Sequence, residues 1–181
     1  MKPKLKKVVS SFLVAMLLIP VGWVAPVMAN TTNTVYHETF ESTSSVPKQS
    51  GSPTITRVDD KVFEGNEDGG AVHLTNRQNT WDGIDFDFAD IGIQNGITYN
   101  ITVKGYVDSD VTVPEGSLTS LQPINASTNE YSAPWIASSA LEDGKSFTIT
   151  GSYTADTNTH ATLRIGSSEM EKRFHSTLVT C

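Results

Sequence analysis

Between Val35 and Ser168 the chain is written in short runs of alternating apolar and polar residues. Gly, Pro, Asn and Asp break these runs at intervals of about ten residues, which is the pattern of an antiparallel sandwich. In "GITYNITVKGYV" Ile97, Tyr99, Ile101 and Val103 share one face and Asn100, Thr102 and Lys104 the other. A period of two with this contrast predicts a strand with one buried and one wet face. "SFTITGSY" repeats it through Phe147, Ile149 and Tyr153, and "HATLRIG" through Ala161, Leu163 and Ile165. Further strands are predicted at Val35–Phe40, Thr54–Val58, Ala71–Asn76, Ile84–Phe88, Leu118–Ile124 and Trp135–Ser138. No stretch has helical periodicity, so the expected fold class is all-β, a jelly-roll β-sandwich of about nine strands.

The first residues follow a different pattern. Lys2, Lys4, Lys6 and Lys7 precede an apolar run from Val8 to Val27, and small groups flank Met28. This is the layout of a secretory signal peptide, with cleavage expected after Ala29 and a secreted, extracellular product. Asn30 to Thr34 read as a short spacer. The 152 residues that remain suit a single domain and are too few for a barrel enzyme of roughly 250 residues. The leader carries four of the 13 basic residues and no acid, so the mature chain has nine bases against 20 acids, a net charge near −11. Such a surface repels nucleic acid and anionic lipid, and a neutral polymer such as a glycan fits it better. The only cysteine, Cys181, excludes a disulfide within the chain.

Reactive constellations are scarce. His37, His73, His160 and His175 are scattered without metalloprotease spacing, and no G-x-S-x-G elbow is present. Carboxylates do occur in pairs, Asp59 with Asp60, Asp85 with Asp87 and Glu38 with Glu41, and a glycosidase needs two of them flanking a bond. Asp85 and Asp87 alternate with Ile84, Phe86 and Phe88, so the plainer account is the solvated face of a strand. Glu38 and Glu41, in "YHETFE", stand at the start of the domain, where carboxylates and backbone carbonyls can hold a structural calcium. Trp81 sits in the polar run "NRQNTWDGIDF". A large ring there either packs beneath a loop or is displayed at the surface.

Three stretches carry a resemblance: "YHETFES", "VFEGNEDGGAVHLTNRQNTWDGIDFDFADIGIQNGITYNITVKGYVD" and "FTITGSYTADTNTHATLRIGS". With them the chain resembles the family 22 carbohydrate-binding modules, xylan-binding jelly rolls attached to family 10 endo-xylanases of secreted Bacillus or Paenibacillus type. The resemblance implies non-catalytic binding of xylan or mixed-linkage β-glucan, as a targeting module of an endo-1,4-β-xylanase. A small glycosidase and a structural surface domain are the alternatives. The resemblance also implies Trp81 and Tyr131 as sugar platforms. Ser50 stands where the family has an arginine, and Arg164 and Gly166 where it has a Tyr and a Glu. By strand alternation Arg164 points away from Leu163 and Ile165, toward the cleft, where it can supply donors. The family's calcium would implicate Glu38.

The end of the chain departs from the family, which closes on a motif like Phe-Tyr-Ile-Gly-Asp. Here the tail reads "SSEMEKRFHSTLVTC". Moved back by one base, with permitted synonymous codons, it reads Gly-Lys-Thr-Val-Pro-Phe-Tyr-Ile-Gly-Asp-Met. The expectation is a frameshift near Glu169, with residues 169–181 a shifted tail and the closing strand missing or altered.

Overall fold

The structure is a computed structural model, and it describes residues 33–40, 47–130, 134–167 and 177–180. The predicted leader, Glu41, Tyr131, residues 168–176 and Cys181 lie outside the described residues. From Thr34 onward the chain forms one compact unit. Among the described residues there is no helix, so none is long and apolar enough to cross a membrane.

Among the described residues ten strands form two antiparallel sheets. They are β1 (Lys48–Ser50), β2 (Thr54–Val58), β3 (Ala71–Thr75), β4 (Gly83–Asp87), β5 (Thr98–Val107), β6 (Leu118–Asn125), β7 (Ala137–Ala140), β8 (Ser146–Thr154), β9 (His160–Ser167) and β10 (Thr177–Thr180). The front sheet runs β1-β4-β9-β6-β7 and the back sheet β2-β3-β10-β5-β8. This is the expected sandwich. Ile84, Phe86, Leu121, Leu163 and Ile165 of the front sheet meet Val72, Leu74, Val103, Val107, Phe147 and Ile149 of the back sheet in one buried cluster. The alternation seen in the sequence selects these residues, because one face of each strand must leave water.

Four local expectations change. Val35–Phe40 forms no strand; Phe40 is buried with a positive φ of 54°, and its carbonyl accepts a hydrogen bond from the Arg57 guanidinium. Ile97 precedes β5 in a turn closed by its amide on the Gln94 carbonyl and is exposed, while Val103 is buried and Tyr99 and Ile101 are partly packed on the core. Ala161 is exposed at the start of β9, next to the register shift at Ile124 and Asn125. β1 has no apolar residue to announce it and is held by pairing with β4.

The tail holds a strand where the closing strand was expected to be missing or altered. Thr177–Thr180 is a strand inserted between β3 and β5, with Val179 in register with Val72 and Gly105, and Thr177 with Leu74 and Val107. The position of the closing strand is therefore filled. Alternation did not reveal it, because the tail's apolar residues are out of step with the rest of the chain; backbone pairing on two sides forms the strand.

Candidate carbohydrate-binding face

The outer face of the front sheet is built in rows. Lys48 pairs with Asp85, Asp85 with Arg164, and Arg164 with Gln122. The neighbouring row is small: Ser50 pairs with Gly83, and Ser120 pairs with Gly166 and with Ser138. A Cβ on Gly83 would overlap the Ile165 carbonyl, so only glycine allows β4 and β9 to lie this close. Asp87, Thr162 and Ile124 form a third row.

Ser50, Ser120, Gln122 and Arg164 are buried, although strand parity turns them away from the core. Buried polar side chains are the informative exception to ordinary burial, and Ser120, Gln122 and Arg164 each have a partner here. Gln122 donates to the Ser120 hydroxyl at 2.6 Å. Arg164, 3% exposed, donates from Nε and Nη2 to the two Asp85 oxygens at 2.7 and 2.9 Å, and from Nη2 to Asn129 Oδ1 at 3.3 Å. Such a fork is the strongest and most directional pairing available to a carboxylate. Asp85 is thus half of a bidentate ion pair, which corrects its reading as a plainly solvated acid. Asp87 is half-buried and bonded to the Lys48 ammonium and the Thr162 hydroxyl.

Trp81 stands at one strand end of this face, two residues before Gly83, and is 51% exposed. The loop beneath it is fixed from inside. The buried Arg77 guanidinium donates to the Asp82 carbonyl at 2.7 Å, to the Thr80 carbonyl at 3.3 Å and to the Ser167 hydroxyl at 2.8 Å. Both carbonyls flank the tryptophan. The Asp82 side chain is fully buried and accepts the amides of Gln78, Asn79 and Ser52 at 2.6, 3.0 and 3.3 Å. Burial alone would push its carboxyl up, but these amides and the Asn79 side chain outweigh it, and the carboxyl lies below its ordinary value. Gly51, with φ of 77°, presses against the Asp82 carboxylate, where a Cβ would overlap Oδ1. The tryptophan is therefore displayed by a rigid loop.

At the other strand end lies the loop Asn125–Glu130. The Asn125 amide donates to the Glu130 carbonyl at 2.9 Å, and its Oδ1 accepts from the amides of Ser127 and Thr128. Asn129 adopts a positive φ of 56° there.

Of the residues expected at a site, Trp81, Ser50 and Arg164 lie on or beside this one face, Trp81 on its loop and the other two in its rows. Tyr131 lies outside the described residues. Sequence reasoning missed Ser120, Gln122 and Asn129 as members of the face, and Arg77 and Asp82 as supports. Arg77 and Asp82 were within view, since both fall in the stretch that holds Trp81. Glu38 is engaged locally, its Oε1 accepting the Phe40 amide at 2.7 Å. Among the described residues no three metal-ligating side chains converge.

Comparisons with known proteins agree with this architecture. The family model described as "Carbohydrate binding domain" matches residues 32–168. No curated protein matches the chain. Among solved structures, a family 22 xylan-binding domain of a Paenibacillus barcinonensis protein is 16% identical, with a TM-score of 0.59, covering 80% of this chain and 93% of that one. The C-terminal family 22 carbohydrate-binding module of a Clostridium thermocellum protein is 15% identical, TM-score 0.62, covering 80% of this chain and 87% of its own. The N-terminal part of endo-1,4-β-D-xylanase 10B of Clostridium thermocellum, a carbohydrate-binding module joined to a further module and complexed with xylohexaose, is 21% identical with a TM-score of 0.56. The match covers 83% of this chain but spans only 28% of that larger protein. The chain belongs to the carbohydrate binding domain family.

Proposed function

We propose that the chain binds xylan or a mixed-linkage β-glucan along the outer face of the front sheet, without hydrolysing it. The observation that carries this is Trp81, half exposed on a loop that Arg77 and Asp82 hold rigid, at the end of a face lined with polar side chains. An aromatic ring offers the apolar face of a pyranose a flat partner, and pre-set polar groups complete recognition at low entropic cost. The neighbours of like fold named as xylan-binding favour xylan as the first ligand to try. Affinity electrophoresis in soluble xylan tests the reading. The wild type should be retarded and Trp81→Ala should lose roughly thirtyfold or more in affinity, the effect of a central aromatic anchor. Equal mobility of the wild type with and without xylan would sink it.

The glycosidase alternative asks two of the paired carboxylates, Asp59 with Asp60, Asp85 with Asp87 or Glu38 with Glu41, to flank a bond; of these, Asp85 and Asp87 are held in ion pairs. Release of reducing sugar from xylan, abolished by substitution of one of these Asp or Glu residues, would favour it. Secretion, and a role in targeting an endo-1,4-β-xylanase, belong to the same proposal. A structural calcium held by Glu38 and Glu41 is a separate part of it. Calcium should raise the melting temperature and a chelator should reverse the gain; an unchanged Tm removes the ion.

A further inference from the structure

We infer that Arg164 serves the glycan face as a positioning residue, a clamp that fixes the Asn125–Glu130 loop at the strand end opposite Trp81. The inference rests on the reading of this face as the glycan site. Its premises are geometric. Arg164 lies in the middle row, paired with Asp85 on one side and Gln122 on the other. Its guanidinium is almost fully buried, and Nη2 is shared between Asp85 Oδ2 at 2.9 Å and Asn129 Oδ1 at 3.3 Å. Asp85 therefore orients the guanidinium, and the guanidinium reaches the loop.

Asn129 is well chosen for the receiving end. Its backbone is left-handed, a conformation that asparagine tolerates better than most residues, and its side chain is a short neutral acceptor. The loop is otherwise tied by backbone bonds, Ala126 to the Thr159 carbonyl at 2.9 Å and Asn129 to the Asn125 carbonyl at 3.0 Å. These bonds shape the loop and fasten its base to the β8–β9 connection. The bond from Arg164 ties the Asn129 side chain to the rows of the face. The guanidinium thus acts on a sugar through the loop, by fixing the end wall of the face. This differs from the expectation that Arg164 offers its own donors to the ligand.

The experiment uses the full chain and xylohexaose as probe, reading affinity by calorimetry and the exchange of the Ala126 and Asn129 amides. Asn129→Gly keeps the left-handed backbone and removes the acceptor. It should weaken xylohexaose binding about tenfold, the scale of one lost charge-assisted hydrogen bond, and speed exchange of both amides. Asn129→Asp restores an acceptor and should recover most of both losses, which a general packing defect would not do. Arg164→Lys keeps the charge but loses the fork, and should show the same two effects. Unchanged affinity and exchange in Asn129→Gly overturns the clamp. So does a loss of affinity in Arg164→Lys with wild-type exchange, which makes Arg164 a direct sugar contact. Failure of the wild type to bind xylohexaose instead removes the proposed function, and the exchange data still decide whether the clamp exists.

Discussion

On the outer face of the back sheet, Thr98 meets Thr154 at 2.8 Å and Thr102 meets Thr150 at 3.5 Å, all of them exposed. On the outer face of the front sheet, the corresponding alternate positions hold Ser120, Gln122 and Arg164, all buried. Both faces obey the same period of two, and both are polar. The difference lies in what the polar groups bond to: hydroxyl ladders open to water behind, and in front buried side-chain pairs, Arg164 with Asp85 across strands and Gln122 with Ser120 within β6. A wet ladder contributes roughly 0.2–1 kcal/mol per pair and tolerates exchange. A buried, bonded pair is costly to break and fixes each group in one place, which is the property a recognition face requires.

The sharpest way to break the comparison is Asp85→Ala. It leaves the Arg164 guanidinium buried without its carboxylate, and loss of one partner of a buried pair costs about 3–5 kcal/mol. Urea unfolding should show that loss, and Asp85→Leu combined with Arg164→Met should recover much of it, because an apolar pair of similar volume carries no stranded charge. A loss below about 1 kcal/mol would place the pair among surface ion pairs and erase the contrast between the faces.

Next in size is Asp82→Asn. The substituted amide turns a donor toward amides that need acceptors, and each buried group left unmatched costs about 1–3 kcal/mol. The sign with pH follows from the lowered carboxyl. A depressed folded value gives stability that is complete above the unfolded aspartate value of about 3.9 and is lost as pH falls through the folded one. The gap in Tm between wild type and Asp82→Asn should hold from neutral pH to about pH 4 and narrow below. A gap that closes by pH 5.5 contradicts it.

Gly51→Ala follows. It places a side chain at φ of 77° and against Asp82 Oδ1, so strain and displacement of the loop anchor act together. A cost of about 1–3 kcal/mol is expected, with Trp81 emission shifted because its loop moves. Unchanged emission would mean that Gly51 supports the β1–β2 turn alone.

How much of this was legible in the sequence follows from the same physics. Alternation found β2 to β6, β8 and β9, since each buries one face and the apolar residues must fall in step. It shifted β7 by two residues, from Trp135–Ser138 to Ala137–Ala140, and missed β1 and β10, which exist through pairing with neighbours rather than through a pattern of their own. The face was half legible. Trp81 stood out as a ring in a polar run, and Arg164 by its parity between Leu163 and Ile165. Ser120 and Gln122 were invisible, because a polar residue on an outward position looks the same whether water or a bonded partner meets it. Asp85 was misjudged for that reason. Its role depends on Arg164, 79 positions away along the chain, and only strand order brings the two together.

The smallest effect belongs to the back face, and it sharpens the comparison by its absence. Thr102→Val and Thr150→Val, singly and together, remove a 3.5 Å hydroxyl contact between exposed side chains. Valine favours strands as threonine does, and the hydroxyls exchange one partner for water, so stability should change by less than about 0.5 kcal/mol. Retardation in xylan should match the wild type, since these strands belong to the other sheet and turn their polar positions away from the front face. Reduced retardation in the double variant with stability intact would assign ligand contacts to the back sheet. A loss of stability above about 1 kcal/mol would instead show that the back ladder is made of pairs of the same kind as the front ones, closed to water by neighbours.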